Sequence, residues 1–281
     1  MDPPGVTPRP GSPTLTPDRF DLYERCVQAP DAMARMLAAI HGRAPRALRD
    51  DFCGGGGLCK AWLRMAAPTS QPGARRAAAR HRAVGVDLDP EPLARLEGIP
   101  DLTIRCADVH RARDRADVIA ALNFPLGYFH TRPALVAYLR LARRRLLPRG
   151  VFVADIYGGR SAFDRLTTRA RFPLSRGAHV VYTWEQRDAD IASARVRNAL
   201  HFRVETPGRR ARVLRDAFVY DWRLWSIPEL TDAYTDAGFT RVEVYDQRAG
   251  ALDEQGTLHV RPIESGDDLD DDWVVYVAGR R

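Results

Sequence analysis

The chain has 281 residues, 45% of them hydrophobic and 28% charged, which is enough to bury the core of one large domain, with or without an insert. It is too short for several independent enzymes. No run of about 18 apolar residues occurs, which excludes a membrane-spanning helix, and the Pro-rich start MDPPGVTPRPGSPTLTP lacks the apolar segment of a secretory signal, so the expected location is the cytoplasm. The formal charge of +7 invites a nucleic-acid reading, but of 43 basic residues only Lys60 is a lysine, and the arginines run along the whole chain. Such a bias reads as composition before it reads as a phosphate-binding patch, and nucleic acid is not the expected partner.

Four cysteines, Cys26, Cys53, Cys59 and Cys106, form no CxxC and no zinc spacing, and seven scattered histidines show no paired spacing, so no metal is expected. Residues 1–15 carry Pro3, Pro4, Pro8, Pro10 and Pro13 and read as a disordered lead-in. Thr16 offers an N-cap and Pro17 a first-turn proline to a helix reaching Val27. A second helix starts near Pro30, with Met33, Met36, Leu37 and Ile40 on one face and Gly42 at its end. Together they make a helical unit over 16–45.

From residue 46 strands and helices alternate, the pattern of a parallel α/β sheet. Strands are predicted at 46–52, 83–87, 102–106, 116–123 and 151–157, with a loop at 67–81, a helix capped by Asp89-Pro90, and a helix from Thr131 broken at Pro148-Arg149-Gly150. Period-two apolar positions from Ala194 to Val204 and from Leu214 to Leu224, joined by Pro207-Gly208, predict long antiparallel strands, and Val180–Glu185 supplies a third. A capping box at Ser226–Glu229 opens a helix that Gly238 closes. Late strands at 240–245 and 273–278 flank a linker whose acidic run Asp267–Asp272 reads as solvated. These bounds divide the chain into a core over 46–175, an antiparallel insert over 176–225 and a return to the core over 226–281.

The segment Leu48-Arg49-Asp50-Asp51-Phe52-Cys53-Gly54-Gly55-Gly56-Gly57 is a strand, a glycine-rich turn and a helix start, which brings free backbone N–H groups to a nucleotide-like ligand. Consecutive glycines cost conformational entropy, and a fold bears that where backbone must approach a ligand; the alternative is a flexible turn. A dinucleotide fingerprint needs GxGxxG and an acid about 20 residues on. Here Cys59 stands at the third glycine, and the next strand-end acid, Asp87, lies further downstream.

The order of these signals resembles the class I S-adenosylmethionine-dependent methyltransferases over roughly residues 20 to 280, and the DFCG turn resembles a bacterial subgroup of them. Asp50 matches the acid of the first motif and Gly54 and Gly56 its glycines, with Phe52 where the commonest version has its first glycine. GVDLDP supplies the second motif through Asp87, and Cys106-Ala107-Asp108-Val109 the third. ADVIAALNFPLGYF and LLPRGVFVADIYGG match the fourth and fifth strands. The resemblance implies an α/β fold with a Rossmann-like, seven-stranded, mostly parallel sheet, here carrying the antiparallel β insert. It implies S-adenosyl-L-methionine as cofactor and S-adenosyl-L-homocysteine as product, with no metal. In that scheme Asp87 and Leu88 serve the ribose, Asp108 and Val109 the adenine, Asp50, Cys53, Gly54 and Gly56 the methionine part, and Asn123 and Phe124 the methionine tail and reactive methyl.

Tyr23 and Gln28 fall in the region that folds over the cofactor in this family; the alternative is that Tyr23 packs on the sheet. Tyr128, His130 and Tyr157 follow strands four and five and are candidates for positioning the nucleophile or taking its proton, although a lone histidine is more often structural. Trp222, Arg223 and Trp225, at the end of the insert, are candidates for covering the acceptor. The alternative role of the insert is a homodimer contact. The reading is methyl transfer to a nitrogen or oxygen of a small molecule, set against transfer to RNA or protein and against a non-catalytic cofactor-binding or partner subunit.

Overall fold

The computed structural model describes residues 17–65, 80–248, 250–253 and 257–281. The lead-in expected over 1–15, the Thr16 cap and most of the loop expected at 67–81 lie outside them. Helix α1 (Arg19–Val27) begins at Asp18, whose carboxylate accepts the N–H groups of Phe20 and Asp21 while Asp21 accepts that of Asp18. This reciprocal box, rather than Pro17, sets the start. Helix α2 (Pro30–His41) ends at Gly42, held at φ 72°.

The central elements follow as β1 (Ala47–Asp51), α3 (Gly57–Arg64), β2 (Arg82–Asp87), α4 (Pro90–Leu93), β3 (Leu102–Cys106), β4 (Ala116–Ala121), α5 (Arg132–Arg145) and β5 (Leu146–Gly159). Four long strands come next: β6 (Leu166–Pro173), β7 (His179–Asp190), β8 (Arg195–Glu205) and β9 (Arg212–Arg223). Helix α6 (Ile227–Asp236), β10 (Arg241–Asp246), a short hairpin of β11 (Ala251–Leu252) and β12 (Leu258–His259), and β13 (Asp272–Arg280) complete the chain.

The main sheet has seven strands in the order β10-β13-β5-β4-β1-β2-β3. β5, β4, β1, β2 and β3 are parallel, and β13 runs antiparallel to both β5 and β10. All five residues of β1 are buried, as expected of a strand covered on both faces. Leu135, Tyr138 and Leu139 of α5 and Tyr234 of α6 pack on one face around Phe152, and Met33, Leu37 and Ile40 of α2 with Trp62 of α3 pack on the other around Val153. The chain leaves β1 toward β2 and β3, then returns past it to β4 and β5. A crevice therefore opens where the carboxyl ends of β1 and β4 diverge.

β6 to β9 form a separate antiparallel sheet, so the insert begins at Leu166 and not at 176. The sequence LTTRARFP gave no apolar alternation because β6 is an edge strand whose side chains are mostly exposed. One face of this sheet buries Val180, Phe202 and Val204 against Leu22 of α1. The other carries ion pairs, among them Arg187 with Glu185 and Asp216, Arg195 with Asp221, and His179 with Glu205. β5 also starts earlier than Val151: it runs through Pro148-Arg149-Gly150 with a register shift opposite Ala116 to Val118. The acidic run is not purely a solvated loop, since Asp272 opens β13 and accepts both the N–H and the hydroxyl of Ser161, while Asp270 pairs with Arg248. No helix among the described residues is long and apolar enough to cross a membrane.

Candidate functional site

The turn after β1 is built by backbone conformations that few side chains tolerate. Phe52, Gly54 and Gly56 have φ of 64°, 49° and 65°. Phe52 adopts the left-handed region in place of a glycine, its ring held among Tyr128, Phe129 and Tyr138. Such strain costs of order 1–3 kcal/mol and persists only where surroundings enforce it. A Cβ added at Gly54 or Gly55 would meet nothing within 4 Å, so the turn leaves an open cradle. One added at Gly56 would lie 2.5 Å from Leu96, so that glycine serves close packing and does not face the cradle. Asp50 sits behind the turn, buried, where the Cys59 thiol donates to it at 3.7 Å. Burial, reinforced by the neighbouring Asp51, drives its carboxyl well above the usual carboxylate range. Asp50 therefore does not reach the surface of the cradle.

In front of the cradle lies a cleft of about 280 Å³ lined by Cys53, Gly54, Gly55, Asp87, Asn123 and Tyr128, with Phe20, Tyr23, Glu24 and Gln28 from α1 and Phe218 and Tyr220 from β9. Asp87 ends β2 and accepts the Gly54 N–H at 2.8 Å and the Asp89 N–H at 3.0 Å. Each carboxylate oxygen keeps a second lone pair for a ligand hydroxyl. Tyr23 packs its ring on Phe218 at 5.0 Å, so α1 and the insert close the cleft together. Phe20 and Phe218 escape a sequence reading because they converge only when β9 crosses α1, and Tyr220, which the alternation of β9 places with Trp222 on the insert's apolar face, lines this cleft.

The adenine-side candidates divide. Asp108 is half-exposed and accepts the N–H and the ring N–H of His110, both at 2.7 Å, which hold its carboxyl below the usual range. Leu88 is 68% exposed beside it. The Val109 side chain is buried in the core, and its carbonyl accepts from Arg49 and Arg145 at 3.1 and 2.7 Å. Arg49, fully buried on β1, pairs with Asp51 at 2.7 Å and also donates to the carbonyls of Ala112 and Asp114. Two arginines thus fix the loop that carries Asp108.

A second cavity, of about 510 Å³, lies between the insert and the β10–β13 edge. Tyr157, Tyr182, Trp184 and Trp273 form its aromatic walls, Phe124 one end, and Asp246, Asp270 and Asp272 its rim. A third cavity, of about 840 Å³, lies as a passage between this one and the cleft, sharing Gln28 and Asn123 with the cleft and Tyr182, Trp184 and Gln247 with the second cavity. Asn123 and Phe124 form the wall between the two.

The catalytic and acceptor candidates fall in different surroundings. His130 donates its Nε2–H to the Asp221 carbonyl at 2.9 Å, and since a carbonyl only accepts, that nitrogen is not a free base. Tyr157 does face the second cavity, but its hydroxyl lies between Gln186 Oε1 at 3.3 Å and Asn198 Nδ2 at 3.0 Å, and burial pushes its phenol up to about 12. Tyr128 lines the cleft, not the second cavity. Trp225 is buried and donates to the Leu126 carbonyl at 3.1 Å, with the Arg223 guanidinium 3.9 Å from its ring. Arg223 also binds Glu229 at 3.1 Å and the His130 carbonyl at 3.2 Å. Both are braces rather than acceptor contacts. Trp222 is buried behind the cavity, touching Phe124, Tyr157 and Trp184, and lies on Gly127, where a Cβ would sit 2.7 Å from it.

No protein-family model matches the chain, and no curated protein sequence does. Solved structures do. DesVI of Streptomyces venezuelae is 20% identical with a TM-score of 0.63, over 92% of this chain and 95% of its own. CalS10, an amino pentose methyltransferase of Micromonospora echinaspora, is 16% identical with a TM-score of 0.62, over 96% and 100%. The sugar N-methyltransferase KedS8 of a Streptoalloteichus species is 18% identical with a TM-score of 0.60, over 100% and 99%. At these identities the likeness is one of fold, a Rossmann-like seven-stranded sheet shared with these methyltransferases.

Proposed function

We propose that the protein is an S-adenosylmethionine-dependent methyltransferase acting on a small molecule. The observation that carries this reading is a cleft at the switch of the sheet, against a glycine turn and a strand-end aspartate, beside an aromatic cavity under the insert, the two meeting at Asn123-Phe124. The cradle at Gly54-Gly55 fits the cofactor, since neither position has an atom where a side chain would stand. Asp87 would hold the ribose hydroxyls, Cys53 and the Gly54-Gly55 backbone the methionine part, and Tyr23, Phe218 and Tyr220 would shield it from water. When bound, the cofactor supplies a methyl group on a sulfonium, a donor already activated. What the chain contributes is alignment and exclusion of water. No phenol of the site is fitted to take a proton: burial raises those of Tyr23, Tyr157, Tyr182 and Tyr220.

The second cavity suits an acceptor the size of a sugar bearing an amine. Its rings offer stacking faces, and its rim aspartates offer acceptors for hydroxyl and ammonium groups. CalS10 and KedS8, whose chains align over nearly all of this one, act on an amino pentose and a sugar nitrogen, which supports the same class here. The ion-paired outer face of the insert favours a cover over an apolar dimer contact. Calorimetric titration with S-adenosylhomocysteine tests the cofactor half. Labelled-methyl transfer to a panel of amino sugars, with cell RNA and protein as controls, tests the acceptor half. Absence of binding removes the first, and label entering only macromolecules removes the second.

A further inference from the structure

Asp155 lies on β5 with 2% of its surface exposed, at the wall of the passage between the two cavities. Its Oδ2 accepts the Asn123 N–H at 2.9 Å and its Oδ1 the Phe124 N–H at 2.8 Å. Those two residues have φ of 72° and 67°, left-handed conformations that are costly for side-chain-bearing residues and rarer still for an aromatic one. Consecutive residues so twisted face different cavities. Asn123 lines the cofactor cleft, and Phe124 closes the end of the acceptor cavity with its ring 4.9 Å from Tyr157 and 5.8 Å from Trp222. A strained pair persists only where its surroundings over-determine it, and here a single buried carboxylate takes both donors.

We propose that Asp155 is a positioning residue of methyl transfer, whose carboxylate clamps the Asn123-Phe124 wall in the shape that admits the cofactor on one side and the acceptor on the other. The inference rests on the methyltransferase reading for its function, but not for its geometry. Because one carboxylate holds both N–H groups, the clamp depends on its charge. Burial raises the Asp155 carboxyl to about 7, against the opposing pull of the Phe124 and Asn123 N–H groups. Above that pH both oxygens accept. Below it one oxygen carries a proton that opposes an N–H, and the turn loses half its support. The titratable groups facing Asp155 are the phenols of Tyr23 on α1, Tyr234 on α6 and Tyr276 on β13, all held neutral by burial. Arg25, Arg35, Arg248 and the Cys26 thiol border the same passage.

The test follows backbone amides of the ¹⁵N-labelled full chain between pH 5.5 and 8.5, beside calorimetric titration with S-adenosylhomocysteine at each pH. The Asn123 and Phe124 amide resonances should titrate together with a midpoint near 7 and shift downfield as the pH rises. Affinity should weaken roughly tenfold from pH 8 to pH 6, in proportion to the clamped fraction. In Asp155→Asn, whose amide offers one acceptor and one opposing donor, the shared titration should vanish and affinity should stay low and flat across the range. Wild-type amides that do not move overturn the clamp, whatever the variant does. Amides that titrate while affinity stays flat reduce Asp155 to a structural role and overturn the positioning. Amides that titrate without binding at any pH leave the clamp standing and remove the methyltransferase reading, and the positioning role with it.

Discussion

Arg49→Met removes one partner of an ion pair that has no access to water. Arg49 and Asp51 are both fully buried, 2.7 Å apart, and Arg49 also serves the carbonyls of Val109, Ala112 and Asp114. The methionine nearly conserves volume, so the loss is electrostatic. Asp51 keeps only the Tyr138 hydroxyl at 2.9 Å among side-chain donors. Orphaning one member of a buried pair costs about 3–5 kcal/mol, which for a chain of this size lowers Tm by roughly 6–20 °C. The deficit has a sign in pH. Burial already raises the Asp51 carboxyl, Arg49 being the first of the groups that pull it back, so the variant raises it further. The folded protein then binds a proton that the unfolded chain releases, so stability is kept at acid pH and lost as pH rises through the new value. Thermal unfolding by circular dichroism at pH 5 and 8 should show the larger deficit at pH 8. Arg49→Met with Asp51→Leu, which removes both charges, should recover at least about 1 kcal/mol over the single variant. A single variant melting within about 2 °C of wild type at both pH values would refute the reasoning, because no surface rearrangement can rehydrate that carboxylate.

Asp87→Ala should weaken S-adenosylhomocysteine binding at least tenfold by calorimetry, since hydrogen bonds to a charged group are worth about 1.5–3 kcal/mol each and the Gly54 tether is lost with them. Trp184→Ala, which opens one wall of the second cavity, should raise KM for the acceptor several-fold while leaving cofactor affinity within about twofold; a change confined to cofactor affinity would relocate the acceptor site. His130→Ala should cost about 1 kcal/mol of stability and leave the pH profile of kcat unchanged, whereas loss of an ionisation from that profile would restore it as a base.

What was legible in the chain follows from how far apart the contributing residues lie. The parallel core announced itself because β2, β4 and β5 are largely apolar runs, and because Gly42, Asp89-Pro90 and the Ser226–Glu229 box fix helix ends within a few residues. The glycine turn was legible in part for the same reason: Gly54 and Asp87 depend on two adjacent strand ends, whereas Gly56, read as facing a ligand, packs on Leu96 and leaves the open position to Gly55. β6 was not, since an exposed edge strand rich in arginine and threonine has no inside to betray.

The second cavity is assembled from β5, β6, β7, the end of β10 and the start of β13, so no local pattern describes it. Aromatic residues near a strand end look alike whether they line a cavity or brace one, and that is why Trp222 and Trp225 read as a lid while Trp184 went unnoticed. Asp155 shows the same limit from the other side. An aspartate inside VFVADIY is a visible anomaly in a buried strand, but its meaning lies in the Asn123 and Phe124 amides that β4 delivers from the neighbouring strand. A buried carboxylate cannot be left unsatisfied. Once its two partners are found in a turn no side chain adopts cheaply, the anomaly in one strand and the strain in the next account for each other.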